Sequence, residues 1–428
     1  MSLAPPATTP IVERVLDNGL RVIVSEDHLA PVVSVDLWYD VGSRHEEDHL
    51  TGLAHLFEHL MFQGSRHVGP AEHFSLVQGV GGTLNGTTSF DRTNYFETVP
   101  AHALELALWL EADRMGTLLD ALTQENLDNQ RDVVKNERRQ RYDNQPYGTA
   151  WEHLFALVYP EGHPYHHLPI GSMEHLDAAT LDDCRAFFQR HYAPANAVLA
   201  IVGDVDPEAA LAQVERHFGA IPTLATPTDA PDGTIPPRDE EAVTTLREDV
   251  PAESRYLVYR LPPAGDPAND AATVAFEVLT GGGASRLVRR LVREEQLAQG
   301  VRASTQGLVG GTDIGAVIAQ ARSGASLDEI AAVVDEELDA LAATPPTEEE
   351  VERAKARLTR DWLDHTATTI GRADELCRFA TLFGDAAEID RVLSRLEAVT
   401  ATDVAMVVGS YLGPANRAVL EYRHEETA

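Results

Sequence analysis

The strongest constraint on the fold is that the chain repeats itself. The segment "LDAATLDDCRAFFQRHYAPANAVLAIVGD" from Leu176 has a counterpart in "LEAVTATDVAMVVGSYLGPANRAVLEYR" from Leu396. At an offset of 220 residues, Leu176, Ala178, Thr180, Asp183, Pro194, Ala195 and Asn196 match Leu396, Ala398, Thr400, Asp403, Pro414, Ala415 and Asn416. Each copy reads as a capped helix, a Pro-Ala-Asn turn and a buried strand such as Ala197–Val202. The offset is close to half of the 428 residues, so two similar domains are expected rather than one large core. Residues Pro222–Pro237, "PTLATPTDAPDGTIPP", have no hydrophobic period and read as a linker. The division this suggests is a first domain over 1–221, a linker over 222–237 and a homologous second domain over 238–428.

Within the first half, "LDNGLRVIVSE" over Leu16–Glu26 carries an Asn-Gly turn signal followed by alternating β-formers, and Val32–Val41 is expected as a partner strand. Thr83–Val99 reads as a strand pair, and helices are expected over Ala101–Met115 and about Leu127–Tyr142. In the second half, Thr347 and Glu350 form a capping box ahead of a charged helix. This order predicts an α+β class, each domain an antiparallel-rich sheet flanked by helices.

The formal net charge of −34 argues against nucleic acid and against anionic membrane surfaces as partners. Cys184 and Cys377 are the only cysteines and supply neither a disulfide framework nor a Cys-rich metal site. The first 20 residues lack a basic segment followed by an apolar one, and no apolar run approaches a membrane span. A cytoplasmic location is the expectation.

Chemistry concentrates in "GLAHLFEHLMFQGS", Gly52–Ser65. Helical residues four apart differ by only ~40° around the axis, so His55 and His59 can aim at one point with Glu58 on the adjoining edge. Two imidazoles and one further ligand would leave zinc an open position, and Glu58 is placed to accept a proton from water and pass it to a leaving amine. For the third ligand Glu137, Glu105, Glu111 and Glu125 compete, and spacing does not choose among them. Val133 and Val134, one turn before Glu137, suggest a buried edge there. The His163, His166 and His167 cluster in "GHPYHH" reads as a loop whose Gly and Pro fix its path.

His55-Leu-Phe-Glu58-His59 is an inverted zinc motif, H-x-x-E-H. Together with "GGTLNGTTSFDRTNYFETVP", "NQRDVVKNERRQ" and "HPYHHLPIGS" in that order, it makes the chain resemble the pitrilysin family of metallopeptidases, which includes insulin-degrading enzyme and the mitochondrial processing peptidase. The resemblance implies two homologous α+β domains forming half of a clam-shaped chamber. It also implies that one Zn2+ is bound by His55, His59 and Glu137, with Glu58 as general base and Asn85 contacting an extended peptide substrate added to its strand. The length resembles the half-sized members, whose chamber needs two chains.

Three departures stand out. At an offset of 219 the motif falls on Val274-Ala-Phe-Glu277-Val278, where both ligands are valine, so the second half has no metal site. Gln130 occupies a position where many relatives carry Glu, which alters the surroundings of the third ligand. Active members also use an Arg and a Tyr in a segment like L-R-x-x-x-x-L-x-Y; here, in "SRLVRRLVREEQLAQGV", those positions are Val292 and Gln299, with Arg293 one residue off. A homodimer, or pairing with a related chain that supplies the Arg/Tyr pair, is therefore expected. A non-catalytic core subunit and a zinc-dependent peptide-binding chamber are the alternatives.

Overall fold

A computed structural model describes residues 10–223 and 231–425. The linker expected over 222–237 falls partly on 224–230, which lie outside the described residues. The chain forms two compact units. One takes the chain through Asn136, the stretch from Pro169 to the linker, and Leu363–Arg391; the other takes Glu137–Leu168, Pro231–Trp362 and the chain from Val392.

The first unit holds β1 (Ile11–Val15), β2 (Arg21–Glu26), β3 (Val32–Tyr39), β4 (Thr83–Thr88), β5 (Thr93–Pro100) and β6 (Ala197–Gly203) in the order β1-β2-β6-β3-β5-β4. The second holds β7 (Ala242–Arg247), β8 (Ser254–Leu261), β9 (Ala298–Thr305), β10 (Asp313–Ala321) and β11 (Arg417–Arg423) in the order β7-β11-β8-β10-β9. Apart from β1 the two orders are the same. In each, all pairings are antiparallel except one: β2 with β6, and β7 with β11. The class is α+β, with helices flanking both sheets.

The repeat is built from the same bonds twice. Thr180 and Asp183 cap helix Leu181–His191 reciprocally (Asp183 N to Thr180 Oγ1 3.2 Å, Thr180 N to Asp183 Oδ2 2.8 Å), and Thr400 and Asp403 cap Ala401–Tyr411 at the same distances. In each turn the asparagine reaches back to the helix end: Asn196 Nδ2 to His191 O at 2.9 Å, Asn416 Nδ2 to Tyr411 O at 2.8 Å. Both turns then feed an almost wholly buried central strand.

The Asn18-Gly19 turn closes a hairpin between β1 and β2, with Gly19 at φ +92° and a Cβ there only 2.7 Å from that of Ala195. The expected pairing of β2 with β3 is not formed. β6 lies between them, because a strand arriving from Ala197 is apolar throughout and takes the most buried place. β3 is covered on both faces, so its alternation carries a polar side too: Ser34, Asp36 and Trp38 face helix Thr369–Leu382, where Ser34 Oγ meets Thr369 Oγ1 at 2.8 Å. That polar match explains why Leu363–Arg391, late in the sequence, folds with the first sheet.

Candidate metal centre

Helix Leu53–Leu60 is amphipathic. Leu53, Ala54, Leu56, Phe57 and Leu60 are buried, while His55, Glu58 and His59 form a half-buried stripe on the other face. Phe57 is seated among Phe187, Phe188 and Tyr192 with ring centroids 5.3–6.1 Å apart. The start of the helix is fixed twice. The Glu46 carboxylate accepts the backbone N–H groups of Gly52 (2.9 Å) and Ala54 (2.7 Å), which also suits the positive end of the helix. Gly52 and Gly171 then approach so closely that a Cβ on Gly171 would lie 2.3 Å from the Gly52 Cα, and both have positive φ. This gives "LPIGS" its place: its backbone crosses the first turn of the metal-motif helix.

The ligand-type atoms of His55, Glu58 and His59 lie within 4.8 Å of one another, with the two imidazole centroids 4.9 Å apart. Two imidazoles one turn apart beside a carboxylate form a donor set that suits zinc. Beside them runs β4, at the edge of the first sheet and paired, among the described residues, only with β5. A Cβ added to Gly86 would meet Glu58 Cγ at 3.3 Å and the Tyr95 ring at 3.0 Å, so the glycine lets this strand pass close to Glu58.

The other expected residues sort clearly. Glu137 is half-buried near the end of helix Gln124–Arg138, with Arg141 Nη1 at 2.7 Å from its Oε1. Val134 is buried there, but Val133 is 40% exposed, so the expected buried edge is narrower than the sequence suggests. Gln130 is buried on the same helix, which Arg131 ties to the carbonyls of Leu176 and Ala179 at 2.7 Å. Asn85 is exposed on β4, its Oδ1 accepting the Gly86 N–H at 3.0 Å. Of the competing carboxylates, Glu105 pairs with Arg216 at 2.7 Å, Glu125 is exposed, and Glu111 belongs to a different, fully buried cluster. His163 in "GHPYHH" spends both ring nitrogens on backbone, at Gly233 O (2.9 Å) and Tyr165 N (3.0 Å), and so is a loop residue. Val274 and Val278 are buried and Glu277 pairs with Arg357 at 3.0 Å, so that helix is structural. Gln299 donates to Ala321 O at 2.9 Å.

Two groupings, one fully buried and one built around the buried Asp36, went unread in the sequence. Behind the motif, His73 lies 3.1 Å from Glu97 and 4.0 Å from Glu111, and Arg114 pairs with Glu111 while lying over the Tyr95 and Phe62 rings at 4.2 and 5.1 Å. Although three ligand-type side chains meet here, the guanidinium already fills the cation's place. Burial pushes Glu111 up to about 8, outweighing the pull of Arg114, and pushes His73 down to about 3. The second grouping centres on Arg92, Asp36 and Asp374. Only the unusual spacing of polar residues in β3 hinted at it.

Residues 21–164 match the family description "Insulinase (Peptidase family M16)" and residues 178–358 match "Peptidase M16 inactive domain". The chain belongs to peptidase family M16. It is 34% identical over 288 residues to the zinc protease PqqE of Helicobacter pylori, a match covering 66% of this chain and 64% of that protein. The chain thus spans under two thirds of that relative's length. It is 26% identical over 411 residues to a probable mitochondrial-processing peptidase subunit beta of Arabidopsis thaliana, covering 93% of this chain and 75% of that one. The crystal structure of a protease from Helicobacter pylori superimposes with a TM-score of 0.90 at 26% identity, covering 97% of this chain and 99% of the other. The M16 relatives so matched are named as proteases or peptidases. The "inactive domain" description falls on the segment in which Val274 and Val278 replace the histidines. Among the described residues no helix is long and apolar enough to cross a membrane.

Proposed function

We propose that the chain is a zinc metallopeptidase that hydrolyses peptide bonds in oligopeptides or unfolded segments, with one zinc ion held by His55, His59 and Glu137. The observation that carries this reading is the convergence of His55, Glu58 and His59 within 4.8 Å on one helix face, beside an edge strand open to a partner. When bound, zinc supplies Lewis acidity that polarises a carbonyl and acidifies water. His55 and His59 act as neutral imidazoles, each offering one ring nitrogen. The Glu58 carboxylate accepts the proton of the attacking water and delivers it to the departing amine nitrogen. β4 receives the substrate as an added strand, reading backbone more than side chain, and exposed Asn85 offers its amide to that backbone. Gln130, buried on the same helix as Glu137, adjusts the third ligand's surroundings as a neutral amide.

The missing Arg/Tyr pair supports a two-chain chamber in which a related partner supplies both side chains; the relative named as a subunit supports the same reading. The test is hydrolysis of a quenched fluorescent peptide library by the zinc-loaded chain beside Glu58→Gln. Cleavage that needs Glu58 supports the peptidase, and cleavage undiminished by Glu58→Gln refutes it. Full turnover by this chain alone refutes the split site.

A further inference from the structure

A continuous hydrogen-bonded chain crosses the first sheet from helix Thr369–Leu382 to the edge strand beside Glu58. Asp36, fully buried on β3, accepts from Trp38 Nε1 at 3.3 Å and Asn94 Nδ2 at 3.0 Å. The same two donors reach Asp374 Oδ1 on the helix at 3.2 and 3.4 Å. Arg92 supplies the positive charge facing the two carboxylates. Its guanidinium lies 5.0 Å over the Trp38 ring, and its Nη1 donates to Asn94 Oδ1 at 3.1 Å, to the Thr87 carbonyl at 2.9 Å and to the Thr87 hydroxyl. The Thr87 hydroxyl in turn donates to Asn94 Oδ1 at 2.6 Å. The next residue along β4 is Gly86, the one that passes close to Glu58.

Burying Asp36 beside the half-buried Arg92 and Asp374 is poor value as stability, because desolvation offsets most of the attraction; its better-attested use is to fix one arrangement. There is something here to fix. β4 is six residues long and, among the described residues, hydrogen-bonded on one side only, the kind of element that opens most readily. A planar fork stacked on an indole and tied to Asn94 loses little freedom when it grips the strand.

We propose that Arg92 is a positioning residue that braces β4 at Gly86–Thr87, holding the substrate-accepting edge in register with Glu58. This rests on the peptidase reading above for its catalytic consequence, but not for the brace itself.

Hydrogen exchange of the full chain tests the brace without substrate. In Arg92→Met the amides of 83–89 exchange at least tenfold faster than in wild type, while those of β2 and of helix Leu53–Leu60 keep their rates. Thr87→Val, which removes the link to Asn94 without touching a charge, gives a smaller rise confined to the same segment and decides the matter if Arg92→Met fails to fold. Unchanged exchange over 83–89, or a rise spread evenly over the sheet, overturns the brace. In peptide hydrolysis Arg92→Met lowers kcat/KM at least tenfold with bound zinc per chain unchanged, and Arg92→Lys recovers part of it. Loss of zinc in step with activity would overturn the positioning role. Wild-type chain whose hydrolysis ignores Glu58 refutes the peptidase reading, and with it the catalytic consequence of Arg92, while the exchange result stands separately.

Discussion

Glu111→Gln should make the protein less sensitive to alkali. Glu111 is fully buried against Glu97 and Arg114, and burial raises it from an ordinary value of 4.5 to about 8. In the unfolded chain the same carboxyl releases its proton near pH 4.5, so between that value and about 8 the folded state holds a proton that the unfolded state has lost. Stability therefore falls as pH rises through this window, by about 1.4 kcal/mol per pH unit, and levels off above it. The full term is about 5 kcal/mol, of which roughly 3 kcal/mol lies between pH 5.5 and 8. Glutamine keeps the shape and the hydrogen bonding of the protonated acid but cannot titrate. Urea unfolding followed by tryptophan fluorescence at pH 5.5, 7 and 8.5 should show wild type losing stability steadily relative to Glu111→Gln. Parallel curves would mean that Glu111 is ionised throughout and that Arg114, not burial, governs it.

Other outcomes follow from the same geometry. Gly171→Ala must move backbone, since its Cβ would lie 2.3 Å from Gly52 Cα and its φ of +65° is unfavourable for alanine; a loss of about 2 kcal/mol or more in denaturation, with at least tenfold weaker hydrolysis, is expected. His55→Ala should remove bound zinc, read by elemental analysis, without changing the far-ultraviolet circular dichroism, because its ring lies on the half-buried face of the helix. Chelation of wild type should likewise abolish hydrolysis, and added zinc should restore it. Burial raises the Cys377 thiol well above its ordinary value and pushes Cys184 up to about 12, so neither should react with a thiol reagent at pH 8 until urea unfolds the chain.

Local periodicity and local chemistry are legible along the chain before it folds. The doubled helix–turn–strand unit was visible because its capping pairs, Thr180 with Asp183 and Thr400 with Asp403, act over three residues. The candidate site was visible at His55, Glu58 and His59 because helical spacing alone brings them to one face. The third ligand was not: Glu137 stands 78 residues beyond His59, and only the family resemblance singles it out among the other carboxylates.

Which strand lies beside which is not written in any local pattern. β6, not β3, became the neighbour of β2, because burial ranks strands by their whole surface rather than by their order in the chain. The same ranking buried β3 on both faces, so Asp36 needed donors from Trp38 on its own strand and Asn94 on β5, which it shares with Asp374 on a helix more than 300 residues away. Glu111 could be noticed in the sequence as a possible ligand, yet its role depends on His73, Glu97 and Arg114 meeting it in the interior. A carboxylate's chemistry is set by what desolvates and opposes it, and those neighbours exist only once the chain has folded.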